Sequence, residues 1–263
     1  MSWGANEMKS IKLGLVSLVG AVFCLAAACP SFAADGLTAG APQSPSSAIW
    51  LGFGFKSHVY AGYGGGVWAP NGSLDSDGFQ LRGELLYVDY HFNTTLSPTG
   101  TASGQLDRAN AQVGYQIVRS GIASSLFVGP DYQDFSVSPG SASNSRLSDK
   151  VGLIATGRVA NIGTPRIPFS VEGNYSTAND TYWAKAKTGM NFGQIAAGPE
   201  IAILGNVAFD EARYGMYTSI EVWHGKSVEI DAGYAQRLRG TSGVLGSSPA
   251  SLYGDVTLVL LNY

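Results

Sequence analysis

Arg108-Ala109-Asn110-Ala111-Gln112-Val113-Gly114-Tyr115-Gln116-Ile117 is the stretch on which the fold turns. Its even positions are polar or glycine, and its odd positions are apolar or aromatic. Successive side chains of a strand point to opposite faces, so this segment reads as a strand with one wet and one greasy side. The pattern recurs. Phe79, Leu81, Leu85 and Tyr87 stand against Gln80, Arg82 and Glu84. Ile167, Phe169, Val171, Gly173 and Tyr175 stand against Ser170, Glu172 and Asn174. Val228, Ile230, Ala232 and Tyr234 stand against Glu229 and Asp231.

A soluble sandwich alternates in the same way, so other features must decide. Apolar strand runs begin or end in Tyr60, Tyr87, Tyr115, Tyr175, Tyr182, Tyr214 and Tyr234, as the interfacial girdles of a membrane barrel require. The chain finishes Thr257-Leu258-Val259-Leu260-Leu261-Asn262-Tyr263, a terminal aromatic with apolar residues two and four places earlier, like the assembly signal of outer-membrane barrels. Twelve strands are predicted, starting near residues 48, 59, 78, 105, 121, 147, 166, 180, 194, 213, 226 and 251. The longest connections follow the third, fifth and eleventh; those after the fourth, eighth and tenth are tight. An even count with long loops at one end and short turns at the other is the transmembrane pattern, although the connection Pro70 to Asp77 is longer than it prefers. The expected fold is therefore all-β, an antiparallel transmembrane β-barrel over residues 48–263.

Composition agrees. Only 13% of residues are charged, against roughly 25% in an ordinary soluble domain, and there are 35 glycines. Beyond residue 47 there is no sustained 3.6-residue period and no apolar run of about 18 residues, so helices cannot carry this chain through lipid. A closed barrel is the other structure that satisfies every backbone group there. A formal net charge of −3 gives a nucleic-acid partner no electrostatic support.

Lys9 and Lys12, the apolar run Leu13 to Ala28 and the small residues Ser31 and Ala33 read as a cleaved signal peptide over residues 1–33. A second reading of the leader is a lipoprotein box at Ala26-Ala27-Ala28-Cys29. Residues 34–47 form a Gly/Pro/Ser-rich linker. Both cysteines, Cys24 and Cys29, fall in the leader, which removes disulfides, zinc and thiol chemistry from the mature chain. The expected destination is the outer membrane, with its lipid as first partner.

With polar faces inward, the lumen receives Arg82, Arg108, Lys150, Arg158, Lys185, Lys187, Arg213 and Arg237, with Glu84, Glu172, Glu200, Glu221, Glu229 and Asp231. These charges either line a conduit or pair across a narrow interior and fill it; the second is favoured, because charges in a confined interior need partners. Trp50, Trp68, Trp183 and Trp223 could stack on sugar rings, while interfacial anchoring is the commoner role.

No enzyme active site is expected, and no cofactor. Among His58, His91 and His224 none has a serine two residues away on its own strand face, although a triad assembled across strands stays open. Ser73-Leu74-Asp75-Ser76-Asp77-Gly78 offers two carboxylates like the opening of a calcium loop but lacks the bidentate Glu. Gly62-Tyr63-Gly64-Gly65-Gly66 has no following P-loop lysine.

Several blocks resemble a known family. They are the run from Tyr60 to Phe79, Val128-Gly129-Pro130-Asp131-Tyr132-Gln133, and Tyr175-Ser176-Thr177-Ala178-Asn179-Asp180-Thr181-Tyr182-Trp183. Asn191-Phe192-Gly193, Gly198-Pro199-Glu200, Leu204-Gly205-Asn206 and Phe209-Asp210 follow. Their order and spacing are similar to those of the cellulose biosynthesis protein BcsS family of alphaproteobacteria. The resemblance implies an accessory outer-membrane component of cellulose production, supporting export or surface assembly of the glucan, with cellulose or other synthesis components as partners. It assigns no catalytic residues. The other readings are a barrel enzyme acting on envelope lipid or polysaccharide, favoured if a His, a Ser or carboxylate and an orienting polar group meet at one rim, and a purely anchoring barrel.

Overall fold

The computed structural model describes residues 44–70, 72–93, 97, 99–139, 147–163, 165–240 and 250–263. The signal peptide expected over 1–33 and most of the expected linker lie outside the described residues.

The strands are β1 (Ser47–Lys56), β2 (Val59–Trp68), β3 (Gly78–Asn93), β4 (Thr101–Arg119), β5 (Ile122–Ser138), β6 (Lys150–Asn161) and β7 (Phe169–Ser176). Then come β8 (Thr181–Thr188), β9 (Met190–Asn191), β10 (Ile195–Gly205), β11 (Phe209–Trp223), β12 (Lys226–Gly240) and β13 (Ala250–Asn262). Each pairs antiparallel with its neighbour, and β13 pairs with β1 from Ser47↔Asn262 to Lys56↔Tyr253, which closes the sheet. Because β9 continues the line of β8, the barrel has twelve staves, as the alternation predicts. The largest offsets in strand starts are at β4, which begins at Thr101, and β11, which begins at Phe209. Both extend beyond the apolar alternation that marks the lipid layer.

The break between β8 and β9 has a local cause. Opposite it lies Gly198-Pro199 on β10, and pairing lapses between Ala197↔Met190 and Glu200↔Lys187. The same dipeptide on β5, Gly129-Pro130, interrupts pairing with β4 between Asn110↔Asp131 and Val113↔Val128. Proline has no N–H to give the ladder, so inside a closed sheet it forces a local irregularity. Glycine then lets the backbones close up. A Cβ on Gly129 would sit 1.9 Å from the Ala111 carbonyl oxygen, and one on Gly198 would sit 2.1 Å from that of Thr188. In both places the next residue is a carboxylate turned into the barrel, Asp131 or Glu200.

Call the end that carries Ser47 and Asn262 the terminus end. The long connection Ala69–Asp77 lies here and departs from the short-turn rule because it folds over the mouth. Leu74 N donates to Pro45 O, and the Gln116 side chain, on the inner face of β4, donates to the carbonyls of Leu74 and Ser76. Asp77 accepts from Val118 N and from Arg119. Those bonds, the Val118 amide first and then the Arg119 side chain, hold the Asp77 carboxyl below its ordinary range. A depressed folded pKa means the contact is intact above the unfolded value of about 4 and is lost as pH falls through the lower folded value. Protease nicking between Pro70 and Asp77 is therefore expected to rise in acid, and Asp77→Asn is expected to show that accessibility already at neutral pH. Equal cleavage of both proteins at neutral pH would show that Asp77 does not pin the loop.

The outer wall is apolar. Leu51, Phe53, Val113, Leu126, Val128, Leu153, Ile201, Ile203, Met216, Leu252 and Val256 are all exposed on it. Aromatics border this band at both ends. Tyr60, Tyr87, Tyr175, Tyr214 and Tyr234 ring the end away from the termini, and Trp68, Phe79 and Tyr115 mark the terminus end, the last two packed edge to face at 5.1 Å. From Phe79 to Tyr87 is about 27 Å along the strand, or about 20 Å across a layer at a strand tilt of about 40°, close to the lipid-facing band of such barrels.

Candidate functional site

Alternation turns the other half of each strand inward, and the inward set is charged. Every predicted lumen residue falls on the inner face by its strand register, but they do not form one ring. They gather into groups braced between staves that are not neighbours.

In the first group, Arg82 on β3 donates to Glu84 on its own strand and to Glu172 on β7, across the lumen. Arg158 stands 3.8 Å from Glu172. The Arg82 guanidinium lies between the rings of Trp50 and Phe127, 5.1 and 5.6 Å from their centroids. Register explains Trp50. Leu51, Phe53 and Phe55 face out, so Trp50 must face in.

The second group is centred on Lys185 of β8. Its ammonium is 2.9 Å from Glu200 and 2.6 Å from Asp231, and Lys187 pairs with Glu229. Tyr253 donates to Glu200 at 2.7 Å. Glu229 is also 3.9 Å from the Lys185 ammonium, so three carboxylates surround it. Among the described residues no His/Cys/Asp/Glu group is arranged to hold a metal.

Two further groups contain residues that the sequence reading passed over. Arg213 bonds Glu211 and approaches Asp255 at 3.7 Å, while Lys56 from β1 reaches Glu211 on β11. Arg108 meets Asp131 at 2.7 Å, and Asp131 also accepts from Gln133 and Ser176. Gln133 in turn donates to Thr181 and accepts from Asn179. Asn179 and Asp180 have φ of 55° and 48°, so the β7–β8 turn takes the type I′ form that the right-handed twist of a hairpin prefers. That turn aims Asn179 inward. Lys56, Asp131, Glu211 and Asp255 all sit on the inward parity of their strands, and parity was the signal that could have found them.

The remaining predicted residues lie toward the rims. Lys150 is exposed at the start of β6, opposite Gln133. Arg237 faces Glu211 on the neighbouring strand. Glu221 is 4.0 Å from His224, whose ring stacks on Tyr263 at 4.7 Å. The tryptophans divide. Trp50 and Trp183 are on the lumen side, Trp183 sharing the inner face of Lys185. Trp68 lies on the outer wall opposite Leu81, and Trp223 is exposed beside the β11–β12 turn with the Lys226 ammonium 5.7 Å from its ring. Girdle placement therefore fits Trp68 and Trp223 and not the other two. In the segment that resembled the opening of a calcium loop, the Asp75 amide donates to Ser73 Oγ and the Asp77 carboxylate is held by Arg119.

Twelve closed antiparallel staves, a lipid-compatible outer wall and a polar interior define an outer-membrane-type β-barrel. A solved structure supports the fold. The TodX deltaS2S3 mutant monoaromatic hydrocarbon channel matches with a TM-score of 0.52 at 9% identity, over 84% of this chain and 90% of its own. KdgM porin matches at 0.43 and 10% identity, over 81% and 98%. Outer membrane phospholipase A from Escherichia coli matches at 0.43 and 9% identity, over 87% and 95%. No curated protein matches. The family model described as cellulose biosynthesis protein BcsS matches residues 48–259, nearly the whole barrel. The chain belongs to the BcsS family.

Proposed function

We propose that this barrel is an accessory component of cellulose production in the outer membrane, supporting assembly and attachment of the glucan at the cell surface. The observation that carries this reading is the bracing of the lumen. Arg82 to Glu172, Lys185 to Asp231 and Lys56 to Glu211 each join staves that are not adjacent, so paired side chains occupy the interior where a polymer would have to pass. Small barrels are commonly filled in this way. The termini and the short turns then face the periplasm and the longer connections face outward.

The test is a deletion strain, with cellulase-sensitive glucan measured on cells and in the medium and synthase activity measured in inner membranes. Loss of cell-attached glucan with normal synthase activity is the expected result. Unchanged attached glucan overturns the proposal. A conduit is the second reading, favoured by the inward-facing Trp50 and Trp183. It predicts glucan held inside the envelope instead of released to the medium.

A further inference from the structure

A polar patch lies outside the lumen, on the outer face of β3 and β4, and it continues through Gln105 and Asp107, which are hydrogen-bonded to each other. Asp89 and His91 are two apart on β3 and share the outward parity of Leu85 and Tyr87. His91 Nδ1 is 3.3 Å from Asp89 Oδ1, which leaves Nε2 pointing away from the carboxylate. Directly across on β4, in register with His91, is Ser103. The His91 amide donates to His58 O, toward β2. His91 and Ser103 therefore form a non-hydrogen-bonded pair, the kind that brings opposed side chains closest, with Cβ atoms about 4.5–5.5 Å apart. This is the cross-strand arrangement that a search for His-x-Ser along one strand overlooks. Among the described residues His58 and His224 have no such set: His58 is at the tip of the β1–β2 turn, and His224 stacks on Tyr263 beside Glu221.

We infer that Ser103, His91 and Asp89 form a serine-hydrolase site on the outer wall of the barrel, acting on the acyl esters of membrane lipid. The substrate class follows from depth. Asp89 lies two residues and His91, with Ser103 level with it, four residues beyond the girdle tyrosine Tyr87, which is about 5 and 10 Å toward the headgroups along the membrane normal at a tilt of about 40°. Girdle aromatics mark the boundary between hydrocarbon and headgroups, so the site faces the headgroup layer just outside the lipid's ester bonds, within reach of a lipid raised by a few ångströms.

In the reaction, His91 Nε2 takes the Ser103 hydroxyl proton as Oγ bonds to the ester carbonyl carbon. The tetrahedral adduct collapses, the carbon–oxygen bond to the alcohol breaks, and the imidazolium gives its proton to the departing oxygen. Water then attacks the acyl-Ser103 ester with His91 again as base, releasing the carboxylic acid and the free serine. Asp89 is a positioning residue: it fixes the imidazole tautomer and stabilises the imidazolium.

The full mature chain, refolded in detergent micelles, is treated with a fluorophosphonate and assayed on a diacyl phospholipid. Labelling at Ser103, confirmed by peptide mass spectrometry, is expected together with fatty-acid release. Ser103→Ala and His91→Ala are each expected to lower that release by about 100-fold or more. Ser138→Ala, which removes the next serine across on β5, is expected to leave it unchanged. Asp89→Asn is expected to lower kcat with KM unchanged and to move the acidic limb of the pH profile, and Asp89→Glu to recover part of the loss. All of these side chains are partly or fully exposed, so folding is checked by the heat-modifiable gel shift. A folded barrel that takes no label, or one that labels equally in Ser103→Ala, overturns the inference. So does release from a water-soluble acetyl ester with none from the phospholipid, which would remove the lipid assignment.

Discussion

Replacing Arg82 with alanine is expected to destabilise the barrel by about 3–5 kcal/mol, the usual cost of removing one member of a buried ion pair. The Arg82 side chain is 7% exposed and serves two carboxylates, Glu84 and Glu172, from opposite sides of the lumen. Its removal leaves Glu84 without a cation and Glu172 with only Arg158, at 3.8 Å. It also removes the packing of the guanidinium between Trp50 and Phe127. Lysine keeps the charge but has neither the fork that bonds two carboxylates nor the flat face that stacks, so Arg82→Lys should fall between. Adding Glu172→Gln to Arg82→Ala should recover part of the loss, because a poorly compensated charge is then gone. Urea titration in lipid vesicles, followed by tryptophan fluorescence, gives the measurement. A midpoint for Arg82→Ala equal to the parent's would mean that lumen water screens these acids and that the bracing contributes little.

The larger effect is expected at the two pinches. Gly129→Ala places a methyl 1.9 Å from the Ala111 carbonyl oxygen and 2.7 Å from Gln112 Cα, and Gly198→Ala places one 2.1 Å from Thr188 O and 2.4 Å from Gly189 Cα. All four are backbone atoms of the facing stave, Gly189 at the break between β8 and β9, so no side chain can swing aside. The strands must separate at the point where Pro130 or Pro199 has already removed a ladder bond. Each variant is expected to lose more than about 4 kcal/mol, an exceptional value for one methyl, and to give little or no heat-modifiable folded species. Gly62→Ala and Gly157→Ala are the controls, since a Cβ at either position meets nothing within 4 Å. Normal refolding of Gly129→Ala would show that the approach of β4 and β5 is not required.

The staves were legible because a barrel in lipid repeats one demand, apolar out and polar in, at every second residue. Strands such as Arg108–Ile117 met that demand without ambiguity. What alternation alone could not show is which inward residues meet. Arg82 finds Glu172, ninety residues away, and Lys56 finds Glu211 because of the stagger of the closed sheet, and stagger is set by the whole set of registers. The pinches were visible as Gly-Pro followed by an acid, yet their effect on β8 and β9 appears only when the facing strand is known. The outer-wall trio was hidden for a related reason. Asp89 and His91 are close in sequence, but Ser103 is brought opposite by a hairpin register.

The pairing of β1 with β13 has a consequence for biogenesis. The first strand of the barrel waits for the last, Ser47 for Asn262, so the seam cannot form until the whole chain has been delivered. Until then both terminal strands carry rows of open N–H and C=O groups, which lipid cannot satisfy. A chain cut anywhere before Ala250 should therefore be unable to close and be degraded instead of lodging half-built in the membrane. The seam acts as the molecule's own completeness check.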